Sequence, residues 1–214
     1  LFEKDLNRYK KVVSSLWRSL KLSRLLHNEV IIDFIEKNFG FKNILLPGGQ
    51  VIHIQSKSLA IPGGYFGFKP HQDYQSVQGS LDGIIVWIPL CDVGKNNYPL
   101  EIIPGSHLNG LYPLKNSNNA QAIIDPLTYS EKDFKSVTLK KGDAVFISYF
   151  TIHRSSKNGF NKNVRIACST RLDNGSEKNF IERCYPTAYT RGVERSMKNN
   201  FPSKEDIVKT FSWL

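Results

Sequence analysis

The sequence predicts a mainly β fold, a sandwich or a barrel, preceded by helices. Apolar residues recur near the helical period over residues 2–38. After Gly40, short β-branched and aromatic runs alternate with clusters of Gly, Pro, Asn and Asp, which is typical of an all-β sandwich or barrel. The 214 residues, 40% hydrophobic and 22% charged, suit one globular domain with a substantial core.

The predicted elements follow in a simple order. The last N-terminal helix is expected to begin at Asn28, a favoured N-cap type, and to stop at Gly40. Candidate strands then lie at 50–57, 64–68, 83–90, 99–103, 136–140, 143–150 and 163–172. Turns are predicted at Pro104-Gly105, a pair that suits the centre of a type II turn, and at Lys141-Gly142. The irregular stretch 108–135 has the length of an active-site loop or lid, and equally that of a surface insertion.

Three candidate strands divide their side chains between two different faces, because successive residues of a strand point in opposite directions. One face is largely aliphatic and is expected to be covered by the helices: Ile52, Ile54, Ile84, Val86, Ile88, Leu90, Val164, Ile166, Cys168, Thr170 and Leu172. The other face resembles the wall of a ligand cavity: His53, Gln55, Lys57, Gly83, Ile85, Trp87, Arg165, Ala167, Ser169 and Arg171. A sandwich open to solvent on that face would give the same pattern.

Composition restricts the partners and the compartment. The formal net charge of +10 suits an anionic partner or substrate. Many lysines stand beside asparagines, as in "KNNY" and "FNKN", so a generally Lys/Asn-rich composition would explain the charge equally well. An RNP-like motif and an arginine-rich helix are both absent from the sequence, so we expect no nucleic-acid partner. The longest apolar run, "GIIVWIPLC", is too short to cross a bilayer, so no membrane association is expected. The oligomeric state is not predictable.

The cysteines favour a reducing compartment. Cys91, Cys168 and Cys184 are odd in number and form no CxxC pair, which argues against a disulfide framework or a zinc knuckle. We therefore expect a cytoplasmic protein. No signal peptide is visible, but the chain begins at Leu1 without a methionine, so targeting stays open.

A histidine and an aspartate stand two positions apart in "KPHQD". If this segment is a strand, alternation sends His71 and Asp73 to one face while Gln72 points away. Such a pair could bind a metal ion or could hydrogen-bond to each other. The motif alone does not decide between the two.

Residues downstream favour the metal. His153 follows the apolar run "AVFISYF", and Arg165 stands at the head of the next candidate strand. Fe(II) accepts mixed nitrogen and oxygen ligands, and two histidines with one carboxylate leave positions for a 2-oxo acid and dioxygen. An arginine fork can bind the far carboxylate of 2-oxoglutarate bidentately. His-x-Asp, a distant His and then an Arg is the order expected of such a site.

Four stretches together resemble the phytanoyl-CoA dioxygenase-like (PhyH) family of Fe(II)/2-oxoglutarate-dependent oxygenases. They are "KPHQD", "VWIPLCDVGKNNYPLEIIPGSHLNG", "KKGDAVFISYFTIHRSSKN" and "NVRIACSTRL", and they span about residues 50 to 172. Their combination in this order is far more specific than any one of them. The sequence departs from the family at Tyr98-Pro99, where a glycine often stands, and in its N-terminal region, which does not align.

The resemblance implies a double-stranded β-helix (jelly-roll, cupin-like) fold with the N-terminal helices packed on one sheet. Residues 1–214 would form a single oxygenase domain, with a helical part at 1–43, a jelly-roll core at 44–175 and a C-terminal extension at 176–214. The extension contains a candidate helix in "SKEDIVKTFSWL".

The resemblance also implies the site residues. The metal ligands, which are the catalytic residues, would be His71, Asp73 and His153. Arg165 would anchor 2-oxoglutarate, assisted by Ser155, while Trp87 and Gln55 would line the cofactor or substrate pocket. Arg171 shares the face of Arg165 and is the alternative anchor, but Arg165 is favoured by its distance from His153.

The implied cofactors are Fe(II), 2-oxoglutarate as co-substrate, and O2. The implied reaction hydroxylates a small molecule and decarboxylates 2-oxoglutarate to succinate and CO2. Because halogenating relatives replace the carboxylate ligand by a small residue, Asp73 favours oxygen insertion. The positive charge gives a weak preference for an anionic substrate, which the family name does not identify. Alternatives are a catalytically silent cupin-like binding protein and a metal-dependent enzyme that does not use 2-oxoglutarate.

The other histidines and aromatic residues have simpler interpretations. His27 is expected to be exposed or to cap a helix, and His107 to brace the loop that contains it. His53 is expected to be a satisfied buried side chain, or else to face the cavity. Tyr65, Phe66 and Phe68 are expected in the core, and Cys168 to pack as a small apolar residue.

Overall fold

The computed structural model describes residues 1–60, 67–115 and 122–188 and begins with three helices. These are α1 (Leu6–Ser15), α2 (Leu20–Leu26) and α3 (Glu29–Phe39). As predicted, the Asn28 side chain caps α3 by accepting a hydrogen bond from the Ile31 amide, and the helix ends at Gly40, whose φ is 69°. None of the helices in these ranges has the length and apolar character needed to span a bilayer.

The strands form two antiparallel sheets. The larger contains β1 (Ile44–Leu45), β2 (Val51–Gln55), β3 (Ile84–Pro89), β6 (Val145–Ser148) and β8 (Arg165–Asn174). In it β8 pairs with β1 and β2 on one side and with β3 on the other, and β3 pairs with β6. The smaller contains β4 (Leu100–Ile102), β5 (Lys135–Val137) and β7 (His153–Ser155), in the order β5–β4–β7. The described residues also contain the short helices α4 (Tyr74–Val77) and α5 (Lys178–Glu182).

The helices cover most of the predicted aliphatic face of the larger sheet, but Val164 and Ile166, near the start of β8, are exposed. Leu22 and Leu26 of α2 and Ile31 and Ile35 of α3 are buried. They belong to one cluster with residues of the predicted aliphatic face: Ile84, Val86, Ile88, Cys168 and Leu172. Cys168 packs as a small apolar side chain, and its burial raises the pKa of the thiol to about 11. Removal of this apolar surface from water drives the docking of the helices.

A second cluster joins the two sheets. It contains Ile85, Trp87 and Ala167 from the opposite face of the larger sheet, and Leu100 from β4 of the smaller one. The mainly β architecture with N-terminal helices is therefore confirmed: two antiparallel sheets pack face to face and the helices form an outer layer. The complete jelly-roll winding stays a prediction.

Both predicted turns are present. Gly105 has φ 76° and ψ −7°, and the Ser106 amide donates to the Ile103 carbonyl, which is type II geometry. At the second turn Gly142 has φ 102°, and the Asp143 amide donates to the Lys140 carbonyl. Strands β1 and β7 were not predicted, because two or three residues carry too little periodicity. Of the predicted strand 64–68, residues 67–68 are not in a strand and 64–66 lie outside the described residues, as does the candidate helix in "SKEDIVKTFSWL".

We expect Leu26→Ala to lower the free energy of unfolding by about 2–5 kcal/mol, because it leaves a cavity between α2 and the sheet. Leu26 is 0% exposed. Leu20 begins the same helix but is 65% exposed, so Leu20→Ala should change stability by no more than about 0.5 kcal/mol. Urea denaturation of the two variants measures the difference. Equal effects would show that α2 does not dock as described.

Candidate metal centre and adjoining cavity

Backbone pairing brings two distant histidines together. The amide of His71 donates to the carbonyl of His153 at 3.1 Å, and the amide of His153 donates to the carbonyl of His71 at 3.0 Å. This antiparallel bridge places the residues opposite each other, with ring centroids 4.1 Å apart. The geometry thus depends on β7, the short strand that the sequence did not predict.

Asp73 reaches the histidines by a different backbone geometry from the predicted one. Alternation along a strand predicted His71 and Asp73 on one face. Asp73 instead has helical backbone angles, φ −72° and ψ −24°, and stands at the N-cap position of α4. Gln72 does point away, and its side-chain amide donates to the carbonyls of Gly110 and Phe150. The strand interpretation was wrong because the chain turns into a helix directly after its single bridge.

Three donor atoms converge at this point. One potential ligand atom from each of His71, Asp73 and His153 lies within 4.8 Å of the others. Asp73 Oδ1 is 3.3 Å from His71 Nε2 and 3.8 Å from His153 Nε2. Within the described residues this is the one His, Cys, Asp or Glu group that meets this geometry. Two imidazole nitrogens and one carboxylate oxygen fit Fe(II) and leave coordination positions for other ligands.

Hydrogen bonds fix the tautomer of both histidines. His71 Nδ1 is 2.7 Å from the Lys69 carbonyl, and His153 Nδ1 is 2.9 Å from the Thr151 carbonyl. Because a carbonyl oxygen can only accept, each Nδ1 carries the proton and donates it. In a neutral imidazole with its proton on Nδ1, Nε2 is the nitrogen left to bind a metal ion, and a hydrogen bond from Nδ1 is the usual support for metal-binding histidines.

The electrostatics favour a neutral imidazole and a charged carboxylate. Burial, with the neighbouring His71, lowers the pKa of His153 to about 3. Burial opposes ionisation of Asp73, but the Arg171 guanidinium, with the two histidines, holds the pKa of Asp73 well below its usual value. Both groups are thus in the protonation state that metal binding requires.

The stability of the metal-free protein should decrease as the pH falls below 6.5. Burial also lowers the pKa of His53 well below its usual value. The unfolded state therefore takes up protons below pH 6.5 that folded His53 and His153 exclude until much lower pH. Each contributes a loss of up to about 1.4 kcal/mol per pH unit. The dependence is measured by urea denaturation in chelator between pH 6.5 and 5.

Histidine variants test this pH dependence. His53→Gln should make it shallower, because one buried titrating group is removed. His107→Gln makes the same substitution at an exposed side chain and is the matched control. A wild-type stability that is flat from pH 6.5 to 5 would contradict the burial of these neutral imidazoles.

A narrow cavity of about 20 Å³, partly open to solvent, adjoins the metal-centre residues. Both sheets contribute to its wall, including His71, His153, Trp87, Ser155, Arg165 and Arg171. The guanidinium of Arg165 is buried at 2% exposure and lies 5.4 Å from the centroid of the Trp87 ring. The cavity wall thus carries two of the three potential metal ligands, His71 and His153, together with a fixed positive charge.

Two of the residues predicted beside Arg165, Ser155 and Gln55, differ in their contacts. Ser155 lines the cavity, and its hydroxyl accepts a hydrogen bond from the Phe68 amide at 3.1 Å. Gln55 holds Arg165 by accepting a hydrogen bond from its guanidinium, and it donates to the Ser156 carbonyl at 2.7 Å. A Cβ at Gly67 would lie only 2.6 Å from Ser155 Cβ, and the backbone there has φ 83°. Both the close approach and the positive φ require glycine at this position. The structure brings Arg165, Ser155, Trp87 and Gln55 together.

The remaining histidines and the aromatic residues before "HQD" lie in different environments. His27 follows α2 at its C-cap, and its ring hydrogen-bonds to Ser23 and Thr170. His107 is exposed, and Ser106 instead braces the loop: its hydroxyl donates to the Ile103 carbonyl and accepts from the Ile152 amide. Phe68 lines the cavity, while Tyr65 and Phe66 lie outside the described residues.

Sequence reasoning missed the partner of Arg171. Its Nε donates to Asp73 Oδ2 at 2.7 Å, so this arginine is bound to the metal-centre carboxylate. Ser169, which accepts from Arg171 at 3.0 Å, was assigned no role, whereas His53 is buried and hydrogen-bonded to Ser169 at 2.9 Å, as expected of a satisfied histidine. The alternation of Arg165, Ser169 and Arg171 on one face of β8 was the signal available for finding them.

Comparisons with known proteins agree with this geometry. The model of the family "Phytanoyl-CoA dioxygenase (PhyH)" matches residues 46–166. The chain belongs to the phytanoyl-CoA dioxygenase family. The family is one of iron- and 2-oxoglutarate-dependent oxygenases, which agrees with the Fe(II), 2-oxoglutarate and O2 predicted from the sequence. A phytanoyl-CoA dioxygenase of Arabidopsis thaliana is 35% identical over 92 residues, which are 42% of this chain and 32% of that protein.

Solved structures share the fold at low identity. The epimerase SnoN in complex with Fe3+, alpha ketoglutarate and nogalamycin RO is 21% identical, with TM-score 0.56 over 74% of this chain and 60% of SnoN. EctD from S. alaskensis with 2-oxoglutarate and 5-hydroxyectoine is 16% identical, with TM-score 0.57 over 76% of this chain and 55% of EctD. The chain thus spans about a third of the Arabidopsis relative and little more than half of these structures.

Proposed function

We propose that this protein is an Fe(II)- and 2-oxoglutarate-dependent dioxygenase that hydroxylates a C–H bond of a small molecule. The observation that carries the proposal is the convergence of His71, Asp73 and His153 beside a cavity whose wall holds the buried Arg165. When bound, iron and 2-oxoglutarate supply the oxidising chemistry: one O2 is consumed, 2-oxoglutarate becomes succinate and CO2, and one oxygen atom enters the substrate.

The residues of the chain provide binding and orientation. The Nε2 atoms of His71 and His153 and one oxygen of Asp73 would hold the metal, since both Nδ1 atoms already contact backbone carbonyls and the pKa of Asp73 is held well below its usual value. Arg165 would bind the far carboxylate of 2-oxoglutarate, because a buried guanidinium gives a planar, bidentate, charge-assisted contact. Gln55 and Trp87 keep that guanidinium in place. Ser155 would assist at the same carboxylate.

An enzyme that uses the metal without 2-oxoglutarate is less well supported. It would be favoured by an Arg165 side chain turned away from the cavity, but Arg165 lines the cavity. A silent binding protein would have no need of the ordered Nδ1 contacts of both histidines. Because SnoN is an epimerase, hydroxylation is our proposal and does not follow from the fold.

The proposal is tested by incubating the Fe(II)-loaded protein with 2-oxoglutarate, O2 and a panel of small molecules, anionic ones first because of the net charge of +10. Succinate release that requires iron and rises with one panel member, together with transfer of ¹⁸O from ¹⁸O2 to the product, is the expected result. Succinate release without ¹⁸O transfer would support the oxygenase chemistry but overturn hydroxylation. No succinate from folded, iron-loaded protein would overturn the whole proposal.

We also propose a reducing, cytoplasmic location, no association with membranes and no nucleic-acid partner. The support for the compartment is that Cys91, Cys168 and Cys184 are all free thiols.

A further inference from the structure

We infer that Arg171 is a positioning residue that fixes the orientation of the Asp73 carboxylate, so that one of its oxygens is reserved for the metal. This inference rests on the proposed metal site, and it assigns to Arg171 a task different from co-substrate binding. The two oxygens of Asp73 have different partners.

The two carboxylate oxygens are divided between opposite sides. Oδ1 faces the histidines, 3.3 Å from His71 Nε2 and 3.8 Å from His153 Nε2. Oδ2 accepts a hydrogen bond from Arg171 Nε at 2.7 Å. Both side chains are largely buried, at 5% exposure for Asp73 and 11% for Arg171, so water competes little for either oxygen. A carboxylate held in this way offers one donor oxygen to a metal.

A second hydrogen bond, to Ser169, fixes the position of the Arg171 guanidinium. Its Nη1 donates to the Ser169 hydroxyl at 3.0 Å, which leaves the hydroxyl proton for His53 Nε2, 2.9 Å away. His53 is buried, and its pKa is lowered well below the usual value by burial, followed by the charges of Arg165 and Arg171. A neutral His53 with a lone pair on Nε2 is the acceptor that this chain requires. Asp73, Arg171, Ser169 and His53 thus form one continuous hydrogen-bonded chain.

The division of the carboxylate has a chemical consequence. With one oxygen from Asp73 and one nitrogen from each histidine, the protein supplies three donor atoms, and the remaining positions of a six-coordinate ion stay available for co-substrate and O2. If Oδ2 were released, Asp73 could supply both oxygens and occupy one of those positions. Side chains that orient metal ligands typically contribute about 10- to 100-fold to metal affinity.

The test compares Arg171→Gln with Arg165→Gln in the full chain, with Co(II) as the probe because it is stable in air and coloured. Co(II) affinity is measured by competition with a chromophoric chelator, and 2-oxoglutarate affinity is measured on protein saturated with Co(II). We expect Arg171→Gln to weaken Co(II) binding about 10- to 100-fold and to alter the visible Co(II) spectrum. Arg165→Gln should leave Co(II) binding within about threefold of wild type and weaken 2-oxoglutarate binding.

Milder variants and one control keep the result interpretable. Ser169→Ala retains the Arg171–Asp73 pair and should give a smaller loss of Co(II) affinity than Arg171→Gln. Arg171→Lys keeps the charge and should recover part of the loss. Arg183→Gln removes an arginine that binds the Gly79 carbonyl away from the site and should bind Co(II) as the wild type does. Thermal unfolding shows that each variant is folded, and if Arg171→Gln is not, Ser169→Ala and Arg171→Lys decide.

Each outcome has one meaning. Wild-type Co(II) binding with no change in any Arg171 or Ser169 variant overturns the inference and leaves the proposed function intact. Normal Co(II) binding with lost 2-oxoglutarate binding in Arg171→Gln also overturns it, because Arg171 would then be the co-substrate anchor. If Arg183→Gln lost as much Co(II) affinity as Arg171→Gln, the loss would reflect general destabilisation, and the inference would be overturned. A wild-type protein that binds neither Co(II) nor Fe(II) overturns the proposed function together with the inference.

Discussion

Asp73→Asn is expected to abolish turnover and to weaken Fe(II) binding by more than about 100-fold, which exceeds the usual effect of residues that only orient a ligand. The variant replaces the anionic donor of the three converging side chains with a neutral amide. Asparagine keeps the shape of the side chain, and its carbonyl oxygen can still accept from Arg171. Fe(II) affinity is measured anaerobically by chelator competition, and turnover by succinate release.

Two further variants separate this effect from loss of the fold. Asp73→Ala leaves the Arg171 guanidinium without its carboxylate and should destabilise the metal-free protein by about 3–5 kcal/mol, so Asp73→Asn is the more informative change. Asp33→Asn alters an exposed carboxylate on α3 and should bind iron normally. Iron binding by a folded Asp73→Asn protein at wild-type affinity would remove Asp73 from the site.

Arg165→Gln is expected to raise the KM for 2-oxoglutarate about 30-fold to several thousand-fold, because truncating one partner of a buried charge pair costs about 2–5 kcal/mol. Fe(II) affinity should stay within about threefold of the wild type, since Arg165 contacts Gln55 and Trp87 and not the three donors. Initial rates of succinate formation at varied 2-oxoglutarate measure the change.

Arg165→Lys is the matched variant. It keeps the positive charge but cannot make the bidentate contact of a guanidinium, so its KM should lie between those of the wild type and Arg165→Gln. If instead Arg165→Gln lowered kcat with KM unchanged, Arg165 would not be the anchor of the co-substrate. The Arg171 variants would then be the next to be assayed for the same role.

The sequence predicted the packing of the fold better than the detail of the site. Alternation along β3 and β8 predicted the face that α2 and α3 cover, because burial of apolar side chains depends directly on strand period. Asn28 and Gly105 were predictable as well, since capping and type II turns depend on residue type within a few positions. In both cases the determining interactions are local.

The parts of the site that were not predicted depend on long-range contacts. The His71–His153 bridge needs a three-residue strand whose own sequence carries little signal. The pairing of Asp73 with Arg171 joins a short helix to the far end of β8, and no local pattern shows which of two arginines on one face meets a given carboxylate. The correct motif, "HQD", was therefore predicted with the wrong backbone geometry.

The most direct test of the account is an anaerobic titration of the metal-free protein with Fe(II) and then with 2-oxoglutarate, followed by visible absorption. We predict a weak charge-transfer band that requires both additions, that is lost in Asp73→Asn and that needs far more 2-oxoglutarate in Arg165→Gln. A folded wild-type protein that develops no band at saturating Fe(II) and 2-oxoglutarate would contradict the joint binding of iron and co-substrate in this cavity.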